Sequence, residues 1–191
     1  MIKRPEQFGR RRVRGDIAII IGGLLVFSSC AQASTPPTEY KCDAPAAQYD
    51  QIDVPLSSDQ NSVRGTLVLN ATRADAGWMP KTAIYYMSDH RPLFGMMVQS
   101  QDLRTWMVYL VTAGETRVIG KVANPGIIPF RLDFGMGAKA ILVAGKLRAE
   151  ARFRRTDKPH VLIGCSTASV VFQNLEWGPQ NIEAQAQNAN K

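Results

Sequence analysis

The chain has 191 residues and a formal net charge of +7 at pH 7. Residues 1–33 hold six basic and two acidic residues and contribute +4, so the other 17 basic and 14 acidic residues leave +3. An excess of that size says little about partners, and a nucleic-acid-binding domain typically shows a clustered basic stripe. We therefore expect no nucleic-acid partner.

The N-terminal segment has the composition of an export signal. Basic residues between Lys3 and Arg14 precede an uncharged apolar run, Ile17 to Phe27, and small residues follow it. This order is typical of a secretory signal peptide, and the run is shorter than the ~20 apolar residues that a spanning helix needs. The sequence predicts an exported protein of the bacterial envelope.

Two processing routes remain open. Ala31-Gln32-Ala33 fits the pattern for cleavage before Ser34, which would make residues 1–33 a signal peptide and the mature chain periplasmic. Alternatively, Phe27-Ser28-Ser29-Cys30 resembles a bacterial lipobox, which implies that Cys30 carries lipid and anchors the chain in the outer membrane.

Two further cysteines, Cys42 and Cys165, lie outside the export segment. An oxidising periplasm would let them pair, and a bridge that closes so long a loop stabilises the fold by about 4 to 5 kcal/mol in the chain-entropy model. A zinc site needs about four closely spaced ligands, whereas this chain has two histidines and no CxxC or HExxH motif. We predict a disulfide, no metal and no other cofactor.

The rest of the chain divides into three parts. Residues 34–48 begin with Ser34-Thr35-Pro36-Pro37-Thr38, a composition that predicts a flexible tether. Residues 180–191 are rich in Gln, Asn and Ala, which predicts a disordered tail. Residues 49–179 are the right size for one domain.

That domain has the pattern of an all-β fold. Short apolar segments recur at near-regular spacing between turn residues, which favours an antiparallel sandwich or barrel. In one of them Val161, Ile163 and Cys165 share a face, which places the proposed disulfide on the apolar side. The predicted strands cover residues 65–70, 82–87, 93–99, 106–112, 116–122, 128–134, 138–143, 147–154, 159–165 and 169–177.

The segment 147–154 is ambiguous, because its Leu, Arg, Ala and Glu residues also form helices well. Alternation of apolar and charged residues from Leu147 to Arg154 favours a strand. Its basic face is then expected to be a solvated sheet edge, and a stripe that binds a polyanion is the functional alternative.

The C-terminal stretch from Val161 to Trp177 resembles the last hairpin of concanavalin A-like (laminin G-like) jelly rolls. In those folds a strand with a glycine leads through a short turn into a strand that carries Phe and Asn, which Phe172 and Asn174 match. The resemblance implies a two-sheet jelly-roll sandwich with a history of binding or processing carbohydrate, although such folds carry many activities.

No catalytic motif stands out. Glycosidases use two facing carboxylates, and no two acids lie two residues apart within a predicted strand. Asp50 and Asp53 lie in the leading segment, and no Gly-x-Ser-x-Gly elbow is present. We therefore expect no catalytic residues.

Aromatic side chains and an exposed turn are the candidates for ligand contact. Aromatic rings can stack on sugars, and loops on a rigid sandwich often carry binding. We expect Trp78, in Gly77-Trp78-Met79-Pro80, to be a packing residue. The candidate ligand-binding residues are Tyr86, His90, Arg91, Trp106 and Tyr109.

Three functions follow from these observations. The first is a non-catalytic envelope domain that binds glycan or another cell-surface polymer. The second is a structural or protein-interaction lipoprotein, tethered to the membrane through Cys30. The third is an enzyme that resembles a glycoside hydrolase.

Overall fold

The computed structural model describes residues 35–73, 77–123, 126–135 and 138–179. All regular secondary structure within these ranges is β-strand, and none of their residues forms a helix that could cross a membrane. The strands are β1 (Tyr40–Asp43), β2 (Tyr49–Pro55), β3 (Ser62–Thr72), β4 (Lys81–Ser88), β5 (Arg91–Ser100), β6 (Thr105–Thr112), β7 (Thr116–Ala123), β8 (Gly126–Asp133), β9 (Lys139–Ala144), β10 (Leu147–Arg152), β11 (His160–Ser166) and β12 (Ala168–Gly178).

The strands form two antiparallel sheets of six. Sheet A has the order β1-β12-β3-β8-β9-β10, and sheet B has the order β2-β11-β4-β5-β6-β7. The prediction of an all-β, two-sheet antiparallel sandwich is therefore confirmed. All ten predicted strands are present, including β10, for which a helix was the competing interpretation.

Alternation along each strand decides which side chains form the core. Val161, Ile163 and Cys165 of β11 are buried on the inner face of sheet B, as their spacing predicts. Phe130 and Phe172 meet edge to face inside sheet A, with ring centroids 6.1 Å apart. These residues belong to one hydrophobic cluster, which contains side chains from both sheets.

The sandwich begins earlier than predicted. β1 pairs with β12, with Cys42 opposite Val170, and therefore lies inside the segment 34–48 that was predicted to be a tether. The indole nitrogen of Trp177 also donates a hydrogen bond to the carbonyl of Pro37, at 2.8 Å. The tether prediction is wrong for these residues, because backbone pairing with β12 and the burial of Cys42 and Ala44 in the core hold them in the sandwich. The predicted signal peptide and tail lie outside the described residues.

The two sheets are joined at a corner between β11 and β12. Thr167 is the only residue between these strands, and its φ of 55° turns the chain from sheet B into sheet A. The predicted disulfide is present beside it and links Cys42 of β1 to Cys165 of β11. The bridge therefore connects the two sheets and closes a loop with a sequence separation of 123.

We predict that the double substitution Cys42→Ala/Cys165→Ala lowers the free energy of unfolding by about 4 kcal/mol, because it releases a long closed loop in the unfolded chain. Urea denaturation of the variant and of the oxidised wild type measures the difference. An unchanged midpoint would contradict a stabilising role for the bridge.

Candidate functional site

The two outer faces of the sandwich differ in character. On the outer face of sheet A, charged side chains form ion pairs between strands and within a strand. Arg64 of β3 lies 2.5 Å from Glu176 of β12, and Arg148 lies 3.0 Å from Glu150 within β10. The outer face of sheet B carries the tyrosines Tyr49, Tyr85 and Tyr109 together with charged side chains such as Lys81. Paired charges keep a surface soluble, whereas exposed aromatic side chains more often mark a binding site.

A shallow groove of about 220 Å³ crosses the outer face of sheet B. Its floor is made of small residues, because Ala83 of β4 lies directly opposite Gly164 of β11. Tyr49, Lys81 and Tyr85 are among the larger side chains that line it. We call this surface the groove.

Tyr85 is placed by a glycine on the neighbouring strand. Gly95 of β5 lies opposite Tyr85, and a Cβ atom at position 95 would come within 2.8 Å of the Tyr85 ring and 2.3 Å of the carbonyl oxygen of Ile84. No side chain fits at that distance. Gly95 therefore allows the Tyr85 ring to lie against the sheet.

Burial also disfavours the phenolate form of Tyr85. Loss of contact with water raises the pKa of its phenol to about 12, and the nearby Tyr49 adds to the increase. A tyrosine is already a neutral phenol at physiological pH, and the raised pKa extends that form to higher pH, so Tyr85 can both donate and accept a hydrogen bond.

One end of the groove carries an exposed aromatic pair. The ring of Tyr49 is 57% exposed and meets Trp78, which is 36% exposed, edge to face with centroids 5.0 Å apart. The ammonium group of Lys81 lies over the Tyr49 ring, 4.9 Å from its centroid. Two accessible rings and a cation thus stand together beside the groove.

Asp50 also lines the groove, but its carboxylate already has two partners. One oxygen accepts a hydrogen bond from the hydroxyl of Tyr40 at 2.8 Å, and the other accepts one from the backbone N–H of Asp43 at 3.2 Å. The pKa of the Tyr40 phenol is raised by burial and by this bond to Asp50. Asp50 therefore holds β1 against β2.

The structure separates the predicted ligand-binding residues. Tyr86 and Trp106 have no exposed surface and belong to the core, so the expectation of ligand contact is corrected for both. Their inward direction follows from strand alternation, which buries Tyr86 together with Ile84. Tyr109 is half-buried on the outer face of sheet B, where it lies opposite Met97.

His90 and Arg91 lie exposed at the turn between β4 and β5, beyond one end of the groove. The sequence interpretation missed Tyr49, Lys81 and Tyr85, and it assigned Trp78 to packing. The sequence could have indicated that Tyr85 faces outwards. If Ile84 faces the core, alternation along the strand turns the side chains on either side of it outwards. The exposure of Trp78 and its contact with Tyr49 have no local sequence signal, since those residues are brought together by folding.

Comparisons with known proteins identify the fold. No protein-family model matches the sequence, and no curated protein does. An alginate lyase from Alteromonas sp. 272 superposes with a TM-score of 0.54 and 8% identity, covering 78% of this chain and 90% of that one. A legume lectin-like domain from Entamoeba histolytica gives a TM-score of 0.51 and 10% identity, covering 75% and 85%.

The chain has the concanavalin A-like jelly-roll fold. An alginate lyase from Pseudomonas aeruginosa matches with a TM-score of 0.49 and 14% identity, over 64% of this chain and 65% of that one. The chain thus spans slightly less than two thirds of that lyase. The resemblance predicted from the C-terminal hairpin is confirmed. In that hairpin Phe172 is fully buried, and Asn174 has a φ of 54° at an irregularity in the pairing of β12 with β3.

We predict that Gly95→Ala lowers the free energy of unfolding by about 1 to 3 kcal/mol, because the new methyl group collides with Ile84 and Tyr85. Gly114→Ala is the matched control, since a Cβ atom there meets nothing within 4 Å. Urea denaturation compares the two variants. Equal stability would show that Gly95 does not position Tyr85.

Proposed function

We propose that this chain is an exported, non-catalytic domain that binds glycan in the groove. The observation that carries the proposal is the exposed pair Tyr49 and Trp78 beside Lys81 and the neutral phenol of Tyr85. Aromatic rings offer flat apolar surfaces to the carbon-bound hydrogens of a sugar ring. The ammonium and phenol groups can hydrogen-bond its hydroxyls.

The comparisons support a glycan as the ligand. The structures that share this fold include a domain described as legume lectin-like and enzymes described as alginate lyases. A fold carries many activities, so the argument for a sugar rests on the groove itself. A groove lined by aromatic side chains and a few polar groups is a common form of small-ligand site.

Two observations favour binding over hydrolysis. A glycosidase needs two carboxylates that face each other across the substrate, and Asp50 is the one acid among the described residues that line the groove. That carboxylate is occupied by Tyr40 and Asp43. The raised pKa of Tyr85 also disfavours the phenolate that a general base would require.

Export remains part of the proposal. A disulfide is typical of proteins that fold in an oxidising compartment, which fits the N-terminal pattern. We propose a periplasmic chain that starts at Ser34, with a lipid-anchored chain that starts at Cys30 as the alternative. The lipid-anchored form would suit a structural or protein-interaction role at the membrane surface.

The intact mass of the protein purified from periplasmic and membrane fractions distinguishes these forms. We expect a chain that begins at Ser34 and gains ~2 Da on reduction, because the disulfide takes up two hydrogens. A mass that begins at Cys30 with added acyl chains would establish the lipoprotein, and an unprocessed N-terminus would contradict export.

Truncation of the aromatic pair tests the groove. We predict that Tyr49→Ala and Trp78→Ala each weaken glycan binding about tenfold, a typical cost for removing an aromatic side chain that contacts the ligand. Ile127→Ala is the control, because Ile127 is the most exposed large apolar residue described and lies on β8 of sheet A.

The measurement is titration calorimetry with a glycan selected from an array, with urea midpoints to confirm that each variant is folded. No binding by the wild type across the array would refute the proposed function. Equal affinities of Tyr49→Ala and Ile127→Ala would place the ligand elsewhere.

A further inference from the structure

A second concave surface lies at one end of the sandwich, with a volume of about 650 Å³. It is lined by residues 154–158 in the connection between β10 and β11, and by the β4–β5 turn at Ser88 and Asp89. We call it the loop pocket. Its size falls within the usual range for ligand sites.

The loop that forms this pocket is held firmly in place. Phe153 packs edge to face on the buried ring of Tyr86, with centroids 4.8 Å apart. The guanidinium of Arg155 donates hydrogen bonds to the carbonyls of Ser57, at 2.7 Å, and Gln60, at 3.1 Å. These anchors fix the backbone on both sides of Arg154, so its position is set before any ligand arrives.

Two cations on this loop have no carboxylate partner. Arg154 and Lys158 are exposed, and neither lies within 4 Å of an acid of the described chain. Asp89 and Asp157 also line the pocket and form no ion pair with a described residue, so the lining holds three cations against two acids. The third cation, Arg155, directs its guanidinium to the carbonyls of Ser57 and Gln60, which leaves Arg154 and Lys158 as the cations that can contact a ligand. Arg91 adds a further exposed cation on the adjoining turn.

The loop pocket adjoins the groove at the end of β4. Met87 and Pro92, which lie opposite each other at the end of β4 and β5, line the groove. The next residues along the chain, Ser88 and Asp89, line the loop pocket. β4 runs about 23 Å from Lys81 to Ser88 at about 3.3 Å per residue, so a ligand that occupies both surfaces must be a polymer several sugars long.

We infer that the loop pocket binds a carboxylate or sulfate group of an acidic glycan whose sugar rings lie in the groove, with Arg154 and Lys158 contacting the anionic group. This inference rests on the proposed function. It also gives His90 and Arg91, which the sequence indicated as ligand-binding residues, a place at the border of the same surface.

The test uses the full chain and two matched pairs of glycans: polygalacturonate with its methyl-esterified form, and dextran sulfate with dextran. Each pair shares a backbone and differs in its anionic groups, so the pairs separate carboxylate from sulfate recognition. The variant is Arg154→Gln/Lys158→Gln. The control, Lys41→Gln/Lys146→Gln, removes two charges from exposed lysines of β1 and the β9–β10 turn.

We expect the wild type to prefer the acidic member of at least one pair. The Arg154→Gln/Lys158→Gln variant should bind that acidic glycan about tenfold more weakly and with less dependence on salt, since two exposed ion pairs are lost. Its affinity for a neutral glycan, and the affinities of the control variant, should match those of the wild type.

Three outcomes would overturn the inference. The wild type could bind both members of each pair equally, the Arg154→Gln/Lys158→Gln variant could behave like the control, or that variant could lose the neutral and acidic glycans alike. In all three cases the wild type still binds glycan, so the proposed function stands. A wild type that binds none of the four glycans would also overturn this inference, whereas only the absence of binding across the whole glycan array would refute the proposed function.

Discussion

The corner between β11 and β12 is the constraint on which the rest of the structure depends. Thr167 alone carries the chain from one sheet to the other, and it does so in a left-handed conformation that a β-branched residue rarely adopts. Its carbonyl accepts a hydrogen bond from the N–H of Arg73, and the Cys42–Cys165 bridge fixes the same corner covalently. Because β2 pairs with β11, the corner also sets where Tyr49 stands beside the groove.

Most of the fold could be predicted from the sequence, because strands with one buried face alternate in polarity. The strands that were missed, β1 and β2, are edge strands with few buried side chains: Cys42 in the first, and Val54 in the second. At a sheet edge, backbone pairing supplies the stability that apolar burial supplies in the centre. Local composition did not distinguish β1 and β2 from a tether or leading segment, although it did predict β7 and β10, which are edge strands as well.

Much less of the site could be predicted. The sequence indicated that aromatic residues matter, but it selected Tyr86 and Trp106, which face the core. Period-two alternation divides a strand into two faces without saying which is inside, and neighbouring tyrosines make that choice hard. Tyr49 and Trp78 are 29 residues apart in the chain, and their rings come into contact only in the assembled sheet.

Amide chemical-shift mapping of the isotope-labelled chain during titration with a glycan that it binds would locate the ligand on the sandwich. We expect the largest shifts on the outer face of sheet B, around Tyr49, Lys81, Tyr85 and Gly164. The largest shifts on the charge-paired outer face of sheet A, or no shifts with any glycan, would contradict a glycan site in the groove.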